Sequence, residues 1–593
     1  MTNISPYTPD ILANIAWVQE HAPECSAEQS AAIISDEKGV VLVAGPGSGK
    51  TKTLVARVQR LIATGSDPKS MAGITFTNAA AAEMQHRLGE VRLDHLGTLH
   101  GLCLQLLRRH GITLGYGDQI TMVDDDMAFS LMGEAAVAAG ICKVEESDGS
   151  MRSKVEKLLE WRNLSDQFVP ANSSQVAGLA AITIYKKRLR QQSAADFGML
   201  LEDAVVLAER GLIPQYEHLL VDEVQDSGSL HYRFYQAFPA HHKFYCGDSD
   251  QAIYSWMGGR LEHLLALCEL AETQVLNLED NYRSLSIITR HMQQLIEVNS
   301  KRIAKKTLSK REGDGTITVQ KFQTESDEAR GVYLNVKTWL DEGIEPTEIA
   351  VLARTNAIAQ SVAQELKARG IPVRERPQNV VDDNAKLRAA LGALANPNSD
   401  LAIGRWLEMT RKPETYKKIR AEWRRNQKPL RNLAPEIPDG YRDAWGANLL
   451  NALARLGFNR AAIEPAKRAM RFIVSRDIGI LIVALGRPED REEGVGVTVT
   501  TFHSAKGREW KRVHLASCEQ DIIARIDNAG DAILTPDEQL QEARRLFFVA
   551  GTRAKDYLVI SYCLARRQNF GRKEIVACEP VQFIVEAGLD LPD

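Results

Sequence analysis

What this 593-residue chain lacks narrows it first. Its eight cysteines, Cys25, Cys103, Cys142, Cys246, Cys268, Cys518, Cys563 and Cys578, are scattered, and no C-x-x-C pair occurs among them. A zinc knuckle, a ferredoxin-type cluster and a small disulfide scaffold are therefore not signalled. Reduced thiols in a cytosolic protein are the expectation. The longest apolar run, Ile478–Gly486 (IGILIVALG), falls far short of the roughly 20 residues that span a bilayer. The first residues, MTNISPYTPD, lack the charged-then-apolar order of a secretion signal. No membrane association is expected, and the localisation that follows is cytoplasmic, in a bacterium or encoded by a phage. The chain also lacks an excess of one charge: 73 Lys and Arg stand against 77 Asp and Glu, for a net −4. That excludes a histone-like polycation and leaves nucleic-acid binding to a local basic groove. With 44% hydrophobic and 25% charged residues, the composition excludes a mainly disordered or collagen-like chain. The length suits about four structural units.

What is present begins at residues 39–53, GVVLVAGPGSGKTKT. A β-branched run enters a glycine-rich turn, and a segment with apolar residues at helical spacing follows. Strand, glycine turn and helix form the context of a phosphate-binding loop. Glycines at 45, 47 and 49 let backbone N–H groups turn towards phosphate oxygens, Lys50 reaches the β- and γ-phosphates, and the Thr51 hydroxyl ligates Mg²⁺. Ala44 stands where the general pattern has Gly. In HLLVDEVQD (218–226), Asp222 ends an apolar strand and supplies a carboxylate for the metal, while Glu223 polarises a water. Further strands are expected at 71–76 and 244–247, and a second series at 316–321, 349–353, 495–501, 513–517 and 557–561. Strands separated by helical segments indicate α/β units with parallel sheets. Helix-rich stretches at about 110–192 and 378–493 interrupt them. The second holds residues 411–431, RKPETYKKIRAEWRRNQKPLR, with nine Lys or Arg and the aromatics Tyr416 and Trp423. It reads either as a nucleic-acid contact or as a solvated helical face with Trp423 packed inward. A weaker basic cluster is 301–311, KRIAKKTLSKR.

AGPGSGKT, DEVQD, GDSDQAIYSW, NYRS, TFHSAKGREW and VAGTRA occur in that order. The chain resembles UvrD/Rep-type superfamily 1A DNA helicases. SAEQSA (26–31) resembles that family's Q motif, ITFTNAAAAEM (74–84) its motif Ia, and GTLHGLC (97–103) its motif Ib. The resemblance implies an α/β fold of two RecA-like lobes with a P-loop NTPase core, each interrupted by a mostly helical insertion. The first lobe is placed at 1–109 and 193–275, with its insertion at 110–192. The second is placed at 276–377 and 494–593, with a reduced insertion at 378–493. It implies ATP and Mg²⁺ between the lobes, single-stranded DNA across them, translocation 3′ to 5′, and unwinding at single-strand/duplex junctions. Around the nucleotide it assigns Gly45, Pro46, Gly47, Ser48, Gly49, Lys50, Thr51 and Lys52 to the phosphates. Gln29 goes to the adenine edge, where an amide offers both donor and acceptor. Tyr282 goes to the adenine face and Glu509 to the ribose. It makes Lys50, Asp222, Glu223 and Gln251 catalytic, with Gln251 sensing the γ-phosphate. Arg283 and Arg553 become arginine fingers from the second lobe. For DNA it assigns Phe76, Tyr254 and Trp256 as base-contacting aromatics, with Thr98, Asn356 and His503 as further strand contacts. Base–aromatic stacking tolerates any sequence, as a motor requires.

The chain departs from the family at Ala79, which replaces a Lys after TFTN, at Met257, which replaces an Arg before Gly258, and at Ala543, which replaces a Glu before Arg544 and Arg545. The second insertion is shortened and lacks the glycine signature of a duplex-contacting helix–hairpin–helix. A protein partner through this insertion, and a monomeric or weakly oligomeric state, are the expectations. No nuclease domain is expected after 580–587. The alternative is an ATP-gated DNA sensor or regulatory subunit of a partner nuclease, for instance in phage defence. A small-molecule kinase on the same phosphate loop leaves GDSDQAIYSW and TFHSAKGREW unexplained.

Overall fold

The computed structural model describes residues 16–117, 119–143, 148–163, 172–255, 258–374, 381–426, 429–441, 444–474, 476–486, 495–526, 534–567 and 575–592. Two parallel sheets organise the chain. The first has six strands: β1 (Gly39–Ala44), β2 (Met71–Thr75), β3 (His95–Thr98), β4 (Tyr216–Val221), β5 (Ala240–Gly247) and β6 (Thr273–Leu278), in the order β3-β2-β4-β5-β1-β6. All their pairings are parallel. β1 shows why: Val40, Leu42 and Ala44 bury into one core with helix Lys50–Ala63, and Val41 and Val43 into another on the opposite face. Strands covered on both faces read as unbroken apolar runs. β3 and β6 were not expected from the sequence. β3 has four residues, and β6, TQVLNL, is a largely half-exposed edge strand with no apolar run.

The second sheet joins β7 (Thr316–Thr324), β8 (Ile349–Ala353), β9 (Val373–Arg374), β10 (Val497–Thr501), β11 (Trp510–Leu515) and β12 (Ala554–Arg567) in the order β7-β12-β11-β8-β10-β9. A short strand, β13 (Ile575–Ala577), lies antiparallel on β12. Helices Ser286–Glu297 and Pro536–Gly551 cover one face, and helices Glu325–Asp341 and Asn356–Ala368 the other.

Because the first sheet is wholly parallel, the C-terminal ends of its strands lie along one edge. That edge presents the glycine loop after β1, Phe76 after β2, Thr98 at the end of β3, Asp222 and Glu223 after β4, and Asp248–Gln251 after β5. The second sheet presents Glu509 just before β11 and Arg553 just before β12, whereas Asn356 and His503 follow β8 and β10.

The insertions are helical. The first includes helices Asp125–Ala138, Asp148–Asn163 and Ser173–Gln191, and the second includes Val381–Ala395, Asp400–Thr410, Pro413–Asn426, Ala447–Arg455, Arg460–Ala469 and Ile478–Gly486. One continuous apolar core runs from the first sheet through both. The apolar run Ile478–Gly486 is a buried helix of that core, and among the described residues no helix is long and apolar enough to cross a membrane.

Candidate functional site

Gly47 (φ +71°) and Gly49 (φ +80°) hold the loop in a left-handed conformation that favours glycine. A Cβ on Gly47 would stand 2.6 Å from the Arg283 Cβ, and one on Gly49 would stand 2.5 Å from Gln29 Nε2. The Tyr282 N–H donates to the Gly47 carbonyl at 2.8 Å, so the NYRS segment of the second lobe lies directly on the loop. Ser48 Oγ closes the turn on the Gly45 carbonyl at 2.7 Å, and Pro46 is buried in it. Helix Lys50–Ala63 starts at Gly49, which leaves its first N–H groups facing the loop.

Lys50 Nζ donates to Glu223 Oε1 at 2.5 Å. Burial opposes the ammonium charge, but Glu223 and Asp222 outweigh it and raise the Lys50 pKa above the ordinary lysine value. For Glu223, burial is overcome by Lys50 and Lys506, and its carboxyl is held below the usual glutamate range. Glu223 Oε2 accepts from Gln225 Nε2, and Glu223 itself occupies left-handed backbone at φ +54°. Burial raises Asp222, against Lys50; its Oδ1 accepts the Glu223 N–H at 2.9 Å. Thr51 is half-buried in the first helical turn, and Lys52 turns outward to Glu24 at 3.3 Å.

From the second lobe, Arg283 Nε donates to Glu509 Oε2 at 2.5 Å, and Lys555 Nζ meets the other oxygen of Glu509 at 3.1 Å. Arg553 is 1% exposed. It donates to the carbonyls of Val549 and Arg508, to Thr552 Oγ1, and across the cleft to Gln251 Oε1 at 3.4 Å. Among the described residues no carboxylate pairs with it, and burial, reinforced by Arg283, lowers its pKa to about 9. Glu223, Glu509 and Asp248 offset this only in part, and a buried guanidinium with no carboxylate in contact is costly. A bound phosphate would relieve that cost. Tyr282 is 43% exposed, with its hydroxyl on Asp280 at 3.2 Å, so its ring is available for stacking. Gln29 is buried and engaged at both ends of its amide: Oε1 accepts the Ser26 N–H at 3.0 Å, and Nε2 donates to the Ser48 carbonyl at 2.8 Å. One N–H and one lone pair remain for a base edge.

Three of the residues assigned to DNA meet. Phe76 stacks on Tyr254 (centroids 5.2 Å apart), and Tyr254 contacts His503 (6.3 Å), so an aromatic row crosses from one lobe to the other. Burial, with Arg354 and Lys506, lowers the His503 pKa to about 4, leaving a neutral ring at pH 7. Asn356 is exposed in the first turn of its helix, capped by Thr355. The Thr98 hydroxyl accepts the Gly101 N–H at 3.3 Å as a helix cap, which is a structural duty in itself. Trp256 and Met257 lie outside the described residues. In the basic segment, Tyr416 and Trp423 pack against the insertion core, Trp423 Nε1 donating to Asp400 at 3.0 Å and Arg420 pairing with Glu134. Trp423 is thus packed inward, as one of the two readings of the segment has it.

Sequence reasoning missed Lys506. Its Nζ donates to Asp226 Oδ2 at 2.5 Å and to the Gln251 carbonyl at 2.9 Å, stands 3.8 Å from Glu223, and lies 5.0 Å over the Tyr254 ring. One cation thus touches the acidic cluster, the sensor segment and the aromatic row. It lay inside TFHSAKGREW, but the partners it donates to are 255 and 280 residues away, and no local pattern shows them.

A family model described as the UvrD/REP helicase N-terminal domain matches residues 25–271. A second, the UvrD-like helicase C-terminal domain, matches residues 276–421 and 477–565, passing over the middle of the second insertion. The chain is similar to the ATP-dependent DNA helicase PcrA of Staphylococcus epidermidis RP62A, with 26% identity over 646 aligned residues covering 96% of this chain and 87% of that protein. It is similar to PcrA of Staphylococcus aureus Mu50, also with 26% identity, over 95% of this chain and 86% of the relative.

Proposed function

Because the chain belongs to the UvrD/Rep helicase family and is an ATP-dependent DNA helicase, we propose that it is a Mg²⁺-dependent motor that moves 3′ to 5′ on single-stranded DNA and separates duplexes at single-strand junctions. The observation that carries this reading is the continuity of Phe76, Tyr254 and His503 with Glu223 and Gln251 through Lys506. Occupancy of the aromatic row by bases bears on the same cation that sits beside the hydrolytic carboxylates.

The roles follow from the chemistry. Triphosphate oxygens compete with Glu223 for Lys50 and draw it towards the glycine loop and the helix N-terminus. Glu223 is then free to accept a proton from the attacking water, with Lys506 at 3.8 Å as the cation that still favours its ionised form. The Thr51 hydroxyl and the Asp222 carboxylate are hard oxygen donors at the mouth of the loop and suit Mg²⁺. When bound, the ion neutralises charge on the β- and γ-phosphates. Arg553 and Arg283 donate to oxygens of the transferring phosphoryl group, Arg283 exchanging Glu509 for phosphate. Since both come from the second lobe, turnover requires the lobes to be apposed, and each cycle opens and closes them. Tyr282 stacks on adenine, Gln29 reads its edge and Glu509 holds the ribose. Bases stack on Phe76, Tyr254 and Trp256, with His503, Asn356 and Thr98 on the strand. We further propose a cytoplasmic bacterial protein acting as a monomer or weak oligomer, with the second insertion as the surface for a protein partner.

The test is steady-state ATPase without nucleic acid, with single-stranded DNA, duplex DNA or single-stranded RNA at fixed salt, followed by unwinding of 3′- and 5′-tailed duplexes. Stimulation by single-stranded DNA and unwinding confined to 3′-tailed substrates are expected. Preferential unwinding of 5′-tailed duplexes would overturn the polarity, and equal stimulation by RNA the substrate.

A further inference from the structure

Asp248 and Asp250, at the end of β5, are 0% and 1% exposed, yet both carry full hydrogen-bonding partners from the other lobe. Lys305 Nζ donates to Asp248 Oδ1 at 2.6 Å and also contacts Asp250. Arg302 forks onto Asp250 at 2.9 and 2.8 Å, and the Ile303 N–H donates to Ser249 Oγ at 3.0 Å. Lys305 is itself 5% exposed and lies against the phosphate loop, with its Cε 3.5 Å from the point where a Cβ on Gly45 would stand. Two carboxylates and two cations balance, so the cluster tolerates burial.

Its consequence lies one bond further on. Gln251 Nε2 donates to Asp248 Oδ2 at 2.5 Å, while Gln251 Oε1 accepts from Arg553. A carboxylate only accepts and a guanidinium only donates. Both neighbours therefore demand the same orientation of the Gln251 amide, with NH₂ towards Asp248 and oxygen towards the arginine finger. Asp248 is in turn fixed by Lys305, by the Asp250 N–H at 3.0 Å, and by its own N–H on Gln225 Oε1 at 3.0 Å.

We propose that Lys305 is a positioning residue for hydrolysis: through Asp248 it holds the Gln251 amide with its oxygen facing the reacting phosphate. When Arg553 moves onto phosphate, Gln251 Oε1 is left to accept a hydrogen bond from the attacking water. Lys305 belongs to the second lobe, so separating the lobes releases the Asp248 carboxylate and lets the amide turn. Closure thus gates the water-orienting group as well as the arginine fingers. This inference rests on the assignment of Gln251 to the hydrolytic site above.

A double-mutant cycle in the full chain with saturating single-stranded DNA tests it. Lys305→Met is expected to lower kcat about tenfold or more, while ATP KM and the affinity for a fluorescent ATP analogue change less than about threefold. Lys305→Arg, which keeps the charge, is expected to recover most of the rate. Gln251→Ala is expected to be as slow with Met at 305 as with Lys, because the second substitution then has nothing left to position. Independent, multiplying effects in a double variant whose Gln251→Ala parent is slow would overturn the role of Lys305 and leave the site assignment intact. A Gln251→Ala enzyme that turns over normally would overturn the site assignment and this proposal with it. Should Lys305→Met lose its cooperative melt, Lys305→Gln, one atom shorter, keeps a hydrogen-bond donor without the charge and carries the same cycle with the same two outcomes.

Discussion

A carboxylate that accepts a proton at neutral pH has to be ionised, and burial works against that. Glu223 is kept charged by Lys50 at 2.5 Å and Lys506 at 3.8 Å, and its left-handed backbone turns it away from the line of β4. Glu223→Gln is nearly isosteric and removes the base without emptying the space. Turnover with single-stranded DNA should fall by about 100-fold or more. Binding of a fluorescent ATP analogue should be retained or tightened, since Lys50 no longer has to leave an anion. A variant that still hydrolyses ATP at the parental rate would take Glu223 out of the chemistry. The residue types at this site were legible in the chain because each acts in a short motif whose spacing the backbone imposes. The pairing of Glu223 with Lys50, the engagement of Gln29 with Ser48, and the counter-charge of Arg283 on Glu509 were not, because a motif specifies a residue's neighbours in sequence and not its resting partner in space.

The glycine loop is an element whose freedom is used twice. Gly47 needs positive φ, and its missing Cβ lets Arg283 and Asn281 pack against it from the other lobe. An alanine there costs about 1–2 kcal/mol in backbone strain alone, and its methyl stands 2.6 Å from the Arg283 Cβ. Gly47→Ala should therefore weaken the binding of ATP and slow turnover by about tenfold or more, while far-ultraviolet circular dichroism stays unchanged, because the substitution opposes lobe apposition and not the fold. A parental kcat and KM would show that the lobes do not close on Gly47 during turnover. At this scale the sequence reads well where a strand is buried on both faces, as at 40–43, 218–221 and 349–353, and poorly where it is short or at an edge. β3 and β6 lack an apolar run, and β9 has two residues. The helical content of both insertions was legible from periodicity, but their docking was not: it is made by apolar faces that look like any other helical core.

In the whole molecule, the two kinds of joint differ in chemistry. The lobes meet through charges and polar groups, with Lys506 on Asp226, Lys305 and Arg302 on Asp248 and Asp250, Glu542 on Ser255, and Arg553 on Gln251, and through Ile253, which is buried in the second lobe's core. Phosphate and water can take over such donors and acceptors, but Asp248, Asp250, Lys305 and Arg553 are buried here, so parting the lobes has to resolvate them. The insertions meet through hydrocarbon, within one core that also reaches the first sheet. Polar contacts fix their register: the Arg388 Nε donates at 3.1 Å to Asp124, the cap of helix Asp125–Ala138, and Thr121 accepts from Asn396 and meets Ser399. The two insertions thus pack together over one shared apolar core. The pair of Arg388 and Asp124 has side chains only 9% and 12% exposed, and removing one partner of so buried a pair costs about 3 kcal/mol or more. If the insertions are one cooperative body, Arg388→Ala should raise amide hydrogen exchange together in helices Asp125–Ala138 and Val381–Ala395, although the substitution is in only one of them. Exchange that rises in Val381–Ala395 while Asp125–Ala138 keeps its protection would instead make the second insertion an independent unit, free to swing on the first.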